Sequence, residues 1–584
     1  MASTDSFKGE GTSPSLAVEA APTASAKVRI DQALRSLHKS ADRWARMKPD
    51  HCVAILDQLI DGLHRSSARW VAAALEAKGL SAGGQAEGEE WLGMAISLRQ
   101  LRLLRQVLID IEHYGHPRLP TPLQRRPNGQ IVAQVYPEDA YERMIIAGIS
   151  AEVWMQPGYG AEETLAEQAW AYRYMPGGRI AAVLGAGNVA FLVIGDFLYQ
   201  LFVERRVVAL KLSPINDYLA PLLSEAFAAL IKPGYLQIVH GDADEGHYLI
   251  THTLVDTVHM TGSDRTYDTI MFGSGPEGAM RKARGEPLFH KPFTAELGNI
   301  TPVFVVPGPW SQRDLAIQAR ALATSAIFNA GFLCSSPRLL IQQRQWHQRD
   351  AFLAHYGAIM DTVPARPAYY PGAMDAYAQA LAAHPEARRF GQAAPDCLPW
   401  TLIPDLDPEA AGEICFEQEF FCSIMAETAI DAPDACDFLA QAVTMANERL
   451  WGTLSAAFIV HPATLQDPRT AAAFEEALSA LHYGTIVVNG HPGYSYYAMG
   501  TPWGAFPGSN KNDIQSGVGT VNNVYMFRRP QKSLLRAPFQ PVLSPLNLGS
   551  RSMPGVARHL ANLQAHRSVP GLIQVVLDVS RNVV

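Results

Sequence analysis

Three stretches carry residue types that together could act on a carbonyl. FNAGFLCSSPRLLI sets Cys334 after a glycine turn and before an apolar strand. FTAELGNITPVFV sets Glu296 just ahead of another strand, and AAVLGAGNVAFL sets Asn188 at a strand exit. A thiol nucleophile, a carboxylate base and an amide donor are the groups that acyl transfer through a covalent intermediate needs.

Groups so far apart in sequence need a scaffold that brings them together. From residue 179 the chain alternates strand and helix. RIAAVLGAG, VVALKLSP, LQIVHG and VDTVHMTGS read as strands, VIGDFLYQLFVERR and YLAPLLSEAFAALI as helices. Such alternation with glycine-rich strand exits predicts a mostly parallel, doubly wound sheet whose ligands lie at the carboxyl ends of its strands. A second series follows over residues 300–480, with TPVFVV, SPRLLIQQ and GTIVVNG as strands and LAIQARALATSAIF and FEEALSALH as helices. Upstream, residues 28–115 show apolar residues at i, i+3, i+4 and i+7, so amphipathic helices are expected, with Gly79 as a stop. GQIVAQVYP and GISAEVWMQPG suggest a β-hairpin or insertion within residues 116–170.

In this order the stretches resemble the aldehyde dehydrogenase superfamily over roughly residues 30–530. GAGN resembles the family's P-W-N at Asn188, and ALKLSP its V-x-K-P-S-E at Lys211 and Ser213. HMTGS resembles V-x-F-T-G-S at Thr261, Gly262 and Ser263, and AELGN resembles E-L-G-G-K at Glu296, Leu297 and Gly298. FNAGFLCSSPR resembles F-N-x-G-Q-x-C-x-x-x-R at Asn329, Gly331, Cys334 and Arg338, and QEFFCSI resembles E-x-F-G-P-V at Glu419 and Phe421. The resemblance implies an α/β fold with a Rossmann-like cofactor domain, an α/β catalytic domain and a β-hairpin oligomerisation arm. It implies Cys334, Glu296 and Asn188 as the catalytic residues, with Lys211, Ser213, Gly262, Ser263, Leu297, Glu419 and Phe421 at an NAD or NADP cofactor. It also implies a homodimer or homotetramer, with residues 124–158 as the arm and VNNVYMFRR (521–529) as the strand it meets. The substrate would be a small aldehyde.

Several family positions are rewritten: Phe332 stands for the glutamine of G-Q-x-C, Pro214 for the glutamate after K-P-S, and Tyr267 for the glycine after T-G-S. Asn299-Ile300 stands for Gly-Lys, and Phe421-Cys422-Ser423 for F-G-P. Pro214 removes a carboxylate that would repel a 2′-phosphate, so NAD and NADP both stay open. Phe332, Phe421 and the Tyr494-Ser495-Tyr496-Tyr497 loop suggest an apolar or aromatic substrate. Glu296 favours hydrolysis of an acyl-enzyme over transfer to coenzyme A. The acylating alternative and a non-catalytic binding protein remain the other readings.

Composition limits the remaining classes. The 584 residues exceed one core of ~250–300 residues. The expected division is a disordered leader (1–27), a cofactor domain (28–290, with the arm near 116–170), a catalytic domain (291–485), a return to the cofactor domain (486–537) and a C-terminal extension (538–584). A net charge of −8 without a basic stripe argues against nucleic acid. The apolar run 180–210 is interrupted by Asp196, Glu204, Arg205 and Arg206, so no membrane span is expected. Six scattered cysteines without a C-x-x-C pair fit a reducing, cytoplasmic setting, and no Cys/His cluster has metal-ligand spacing. His240 and His259 lie among apolar strands and read as structural.

Overall fold

The computed structural model describes residues 23–145, 148–392, 394–540 and 552–580. The expected leader therefore lies almost wholly outside the described residues.

Three long helices open the described chain: Ala24–Ala45, Pro49–Ala77 and Gln85–Tyr114. The second buries Cys52, Leu56, Leu59, Leu63, Trp70 and Ala74 along one face, as its spacing predicts. It stops where Gly79 takes φ 64°, which lets Leu80 N–H reach Leu75 O at 2.9 Å. The third departs from the expected amphipathic pattern. Residues 88–101 are buried all round, Glu89, Glu90, Arg99 and Gln100 included. Its polar face is covered partly by the C-terminal extension, whose helix Met553–Ala565 lies so close that a Cβ on Gly88 would fall 2.5 Å from Met553 Cγ. The last helix, Val569–Ser580, packs Leu572, Val575 and Val579 with Val556, Leu563 and Ile145.

The two strand series form two sheets. The six-stranded one runs Gly517–Val518, Phe293–Leu297, Thr257–Gly262, Ile180–Leu184, Val207–Lys211, Leu236–Val239, parallel except for the first. The eleven-stranded one holds Thr485–Val488, Ser455–Ile459, Thr301–Val305, Pro337–Gln343, Ile424–Ile430 and Trp400–Leu406 as a parallel block. This mixed α/β architecture with large parallel sheets is the expected fold class.

The hairpin corrects one expectation. Ile131–Tyr136 and Ser150–Met155 pair antiparallel, as an arm should. The arm pairs with Pro530–Arg536, and of the expected residues 521–529 it reaches Arg529, whose carbonyl accepts from Gln156 N–H at 2.9 Å, all within the same chain. Pro530–Arg536 in turn lies parallel to Thr485–Val488, so the arm extends the large sheet. Within 521–529, Val521–Asn522 instead pairs with Pro502–Trp503. The physical reason is backbone conformation: Lys532, Ser533, Leu534 and Leu535 run as an extended strand buried on both faces, whereas 522, 523 and 526 hold positive φ and cannot continue a strand.

Candidate active site

In the six-stranded sheet the chain order reverses at the Ile180–Leu184 strand. Val207–Lys211 follows on one side, and the chain crosses back to Thr257–Gly262 on the other. Residues 185–188 leave the sheet at that switch point, where a crevice forms beyond the strands' carboxyl ends. Lys211, Gly262 and Leu297 are the last residues of three neighbouring strands. Ser263 caps the next helix, Asp264–Phe272, its hydroxyl accepting from Thr266 N–H at 3.2 Å. Ser213 closes on the Gly187 turn so tightly that a Cβ there would lie 2.6 Å from its Oγ. Lys211 is buried, and its ammonium donates to Leu212 O at 3.2 Å. Burial lowers its pKa against the opposing pull of Asp217, Asp242 and Glu245. Tyr267, where the family has glycine, turns its ring inward onto Phe293, 5.3 Å away and stacked.

Cys334 lies in the connection from helix Gln312–Ile327 to strand Pro337–Gln343. Three consecutive residues there are left-handed: Asn329 (φ 49°), Ala330 (φ 57°) and Gly331 (φ 82°). Glycine is required at 331, where a Cβ would meet Cys422 O at 2.7 Å. Arg338 fastens this turn, donating to Gly331 O and Cys422 O at 2.6 Å each. Asn329 fastens it from the other side through Nδ2 to Phe332 O at 3.0 Å and Asn188 O at 2.9 Å.

Glu296 enters from the end of the Phe293–Leu297 strand. Its carboxylate accepts from Trp503 Nε1 at 3.0 Å and is hydrogen-bonded to the Cys334 thiol. Burial pushes Glu296 up to about 7, with the Trp503 and Cys334 contacts pulling back. Burial and then the Glu296 charge hold the Cys334 thiol well above its ordinary range. Asn188 joins them: its Nδ2 donates to Phe332 O at 2.9 Å, two residues before the cysteine.

Glu419 packs against the backbone that follows Glu296. A Cβ on Gly298 would fall 1.8 Å from Glu419 Oε2. Burial raises Glu419 to about 8, and Arg338, with Nε 3.8 Å from Oε1, opposes this. Nearby Glu417 is exposed, which separates the two acids that the sequence leaves close together. Phe421 lies 6.0 Å from Phe332 and 5.0 Å from Tyr370, ring to ring, so the rewritten positions form one aromatic cluster. Tyr494 and Tyr497 form a second cluster with Phe328 and His491.

The structure thus gathers all ten residues singled out from sequence along one edge and one turn. It also adds partners that no local pattern revealed. Lys78, from the second helix, donates to Asn329 Oδ1 at 2.9 Å. Glu89, from the third, accepts from Asn329 N–H at 3.1 Å and from both Arg366 amines at 2.7 and 3.0 Å. His259 is only half accounted for: Nδ1 pairs with Thr294 Oγ1 at 2.9 Å, but buried Nε2 has no hydrogen bond and lies 3.6 Å from Asp196 Oδ1. His240 is not buried among strands; it is exposed beside Asp217, because the chain leaves the sheet there.

Comparison with known proteins places the chain. Residues 156–376 match the model of the aldehyde dehydrogenase family. N-succinylglutamate 5-semialdehyde dehydrogenase of Burkholderia cenocepacia is 25% identical over 222 residues, 37% of this chain and 42% of that protein. The match therefore spans less than half the curated relative's length. The fold is shared more widely. Lactaldehyde dehydrogenase from Escherichia coli superposes with a TM-score of 0.58 at 17% identity, over 86% of this chain and 90% of that one. An aldehyde dehydrogenase of Mycobacterium tuberculosis, complexed with NAD+, gives 0.59 at 18% identity, over 87% and 90%. Residues 156–376 thus resemble the aldehyde dehydrogenase family, and the chain shares the fold of solved aldehyde dehydrogenases along most of its length.

Proposed function

We propose that the protein oxidises an aldehyde to a carboxylate, consuming water and NAD+ and releasing NADH and two protons. The observation that carries this reading is the hydrogen bond between the Cys334 thiol and the Glu296 carboxylate, made at the carboxyl edge of a doubly wound sheet. Glu296 takes the thiol proton as sulfur bonds to the aldehyde carbon, so the raised affinity of each group for that proton is resolved by transfer between them. The oxyanion meets Asn188, whose Nδ2 donates one proton to Phe332 O and carries a second to donate. When bound, the nicotinamide supplies the hydride acceptor. Glu296 gives up the thiol proton to solvent and is then the base for the water that cleaves the resulting Cys334 thioester. A base at this place suits hydrolysis, where the incoming nucleophile is water.

The sheet edge fits a dinucleotide. Thr261 Oγ1 is buried without a partner beside Gly262, the inward ring of Tyr267 leaves the first turn of helix Asp264–Phe272 open, and Glu419 and Lys211 flank the crevice. Asp217, Asp242 and Glu245 around Lys211 favour a free 2′-hydroxyl over a 2′-phosphate, which supports NAD. The two aromatic clusters support an apolar or aromatic aldehyde.

The test follows reduced nicotinamide by absorbance with short, long-chain and aromatic aldehydes, using NAD+ or NADP+. Coenzyme-A-independent turnover that prefers NAD+ and falls at least ~10³-fold in Cys334→Ala is expected. Turnover only with coenzyme A would identify an acylating enzyme. Silence with every aldehyde, together with no thermal shift from either dinucleotide, would leave a binding protein without catalysis.

A further inference from the structure

Away from the active site, helix Ala373–Ala383 ends at His384. The short helix Ile414–Glu417 begins nearby, capped by Glu413, whose Oε1 accepts from Cys415 N–H at 2.9 Å. One ligand atom from each of His384, Glu413 and Cys415 lies within 4.8 Å of the others. His384 and Cys415 are buried, and the Glu413 side chain is 11% exposed. His384 Nε2 faces Glu413 Oε1 at 3.0 Å, while Nδ1 is held by Glu386 Oε1 at 3.0 Å.

We infer that His384 Nε2, the Glu413 carboxylate and Cys415 Sγ form a binding site for a zinc-class divalent cation. Nitrogen, oxygen and sulfur donors together suit zinc, at about 2.0–2.3 Å from each. Those bond lengths place tetrahedral donors about 3.3–3.8 Å apart, within reach of side-chain rotation from the present separations. Glu386 acts as the carboxylate behind the ligand: holding Nδ1–H, it fixes the tautomer that offers Nε2 to a metal. The charge balance agrees. Two carboxylates and a thiol converge here, and among the described residues the only ion pairs of Glu413 and Glu386 are with His384. The site would tie the end of one helix to the segment that leads directly to Glu419.

The experiment uses the full chain, stripped of metal by a chelator and titrated with Co2+, together with zinc analysis of the untreated protein. One equivalent of bound zinc is expected, with a sulfur-to-cobalt charge-transfer band that is lost in Cys415→Ser and in His384→Gln and kept in Cys334→Ser. Glu386→Gln, which removes no ligand, is expected to weaken Co2+ binding about 10–100-fold with the fold intact by circular dichroism. Absence of both zinc and the band in the wild type would overturn the inference and leave His384 as a hydrogen-bonding bridge between two carboxylates. A band that disappears only in Cys334→Ser would also overturn it, by assigning the metal to the other thiol.

Discussion

Burial sets the working pH of Glu296. Its carboxyl, ordinarily near 4.5, is pushed up to about 7 in the fold. An acid raised in this way binds its proton more tightly when folded than when unfolded. Its contribution to stability is thus fully present below pH 4.5 and is lost as pH rises through 7. The loss amounts to about 3 kcal/mol if the thiol keeps its own proton. Glu296→Gln keeps an acceptor for Trp503 and cannot ionise, so it should melt progressively higher than the wild type between about pH 5 and 8. The same change should lower kcat about 10²–10⁴-fold and abolish the rise of kcat/KM through pH 7. A melting difference that does not vary with pH would show that Glu296 does not titrate in this range. The identities of Glu296, Cys334 and Asn188 were legible in the sequence because each lies in a short local pattern at a strand exit. The residues that hold them were not. Lys78 and Glu89 reach Asn329 from helices more than two hundred positions upstream, and a buried cation on an amphipathic helix carries no local mark of its distant acceptor.

Arg338 connects two elements. From the second position of strand Pro337–Gln343 it grips Gly331 O in the turn before Cys334 and Cys422 O in the segment after Glu419. Its Nε also faces Glu419 across 3.8 Å and helps to keep that acid from rising further. Arg338→Met retains length but none of the donors, removing the guanidinium from Cys422 O, from Gly331 O, which keeps Ser336 Oγ, and from the buried Glu419. A loss of about 2–4 kcal/mol in urea unfolding is expected, and, under the proposed placing of Glu419 at the dinucleotide, a higher KM for it as Glu419 becomes more protonated and freer to move. An unchanged KM in a destabilised variant would limit Arg338 to a structural role. At this scale most strands and helices of both sheets were legible, since alternation of short apolar runs with amphipathic segments is a local signal. It failed where burial comes from elsewhere. Residues 88–101 read as a half-exposed helix, and their burial comes from distant segments: Met553–Ala565 packs against them, while Lys78, Glu142 and Arg366 pair with their charges.

The larger of the two main sheets joins distant parts of the chain in one ladder. The parallel block passes through Thr485–Val488 to Pro530–Arg536, and then into the antiparallel arm. The resemblance to a family of oligomers implied that an arm of this kind would serve another subunit, whereas here every step of the ladder is made within one chain. The two arrangements place the same residues side by side and differ only in which chain supplies them. Thr485 and Ser533 are register partners in the parallel pair, so cysteines at both positions sit about 5 Å apart, within disulfide range. Under oxidising conditions the Thr485→Cys/Ser533→Cys protein should form that bond inside the chain and migrate as a single chain in denaturing, non-reducing electrophoresis. The wild type, whose six cysteines are unpaired in the structure, serves as the control. A disulfide-linked dimer specific to the double variant would mean that the arm is exchanged between two copies in solution. In that case the 530–536 strand would pair with the 485–488 strand of another copy, and chain concentration would enter the stability of the sheet itself.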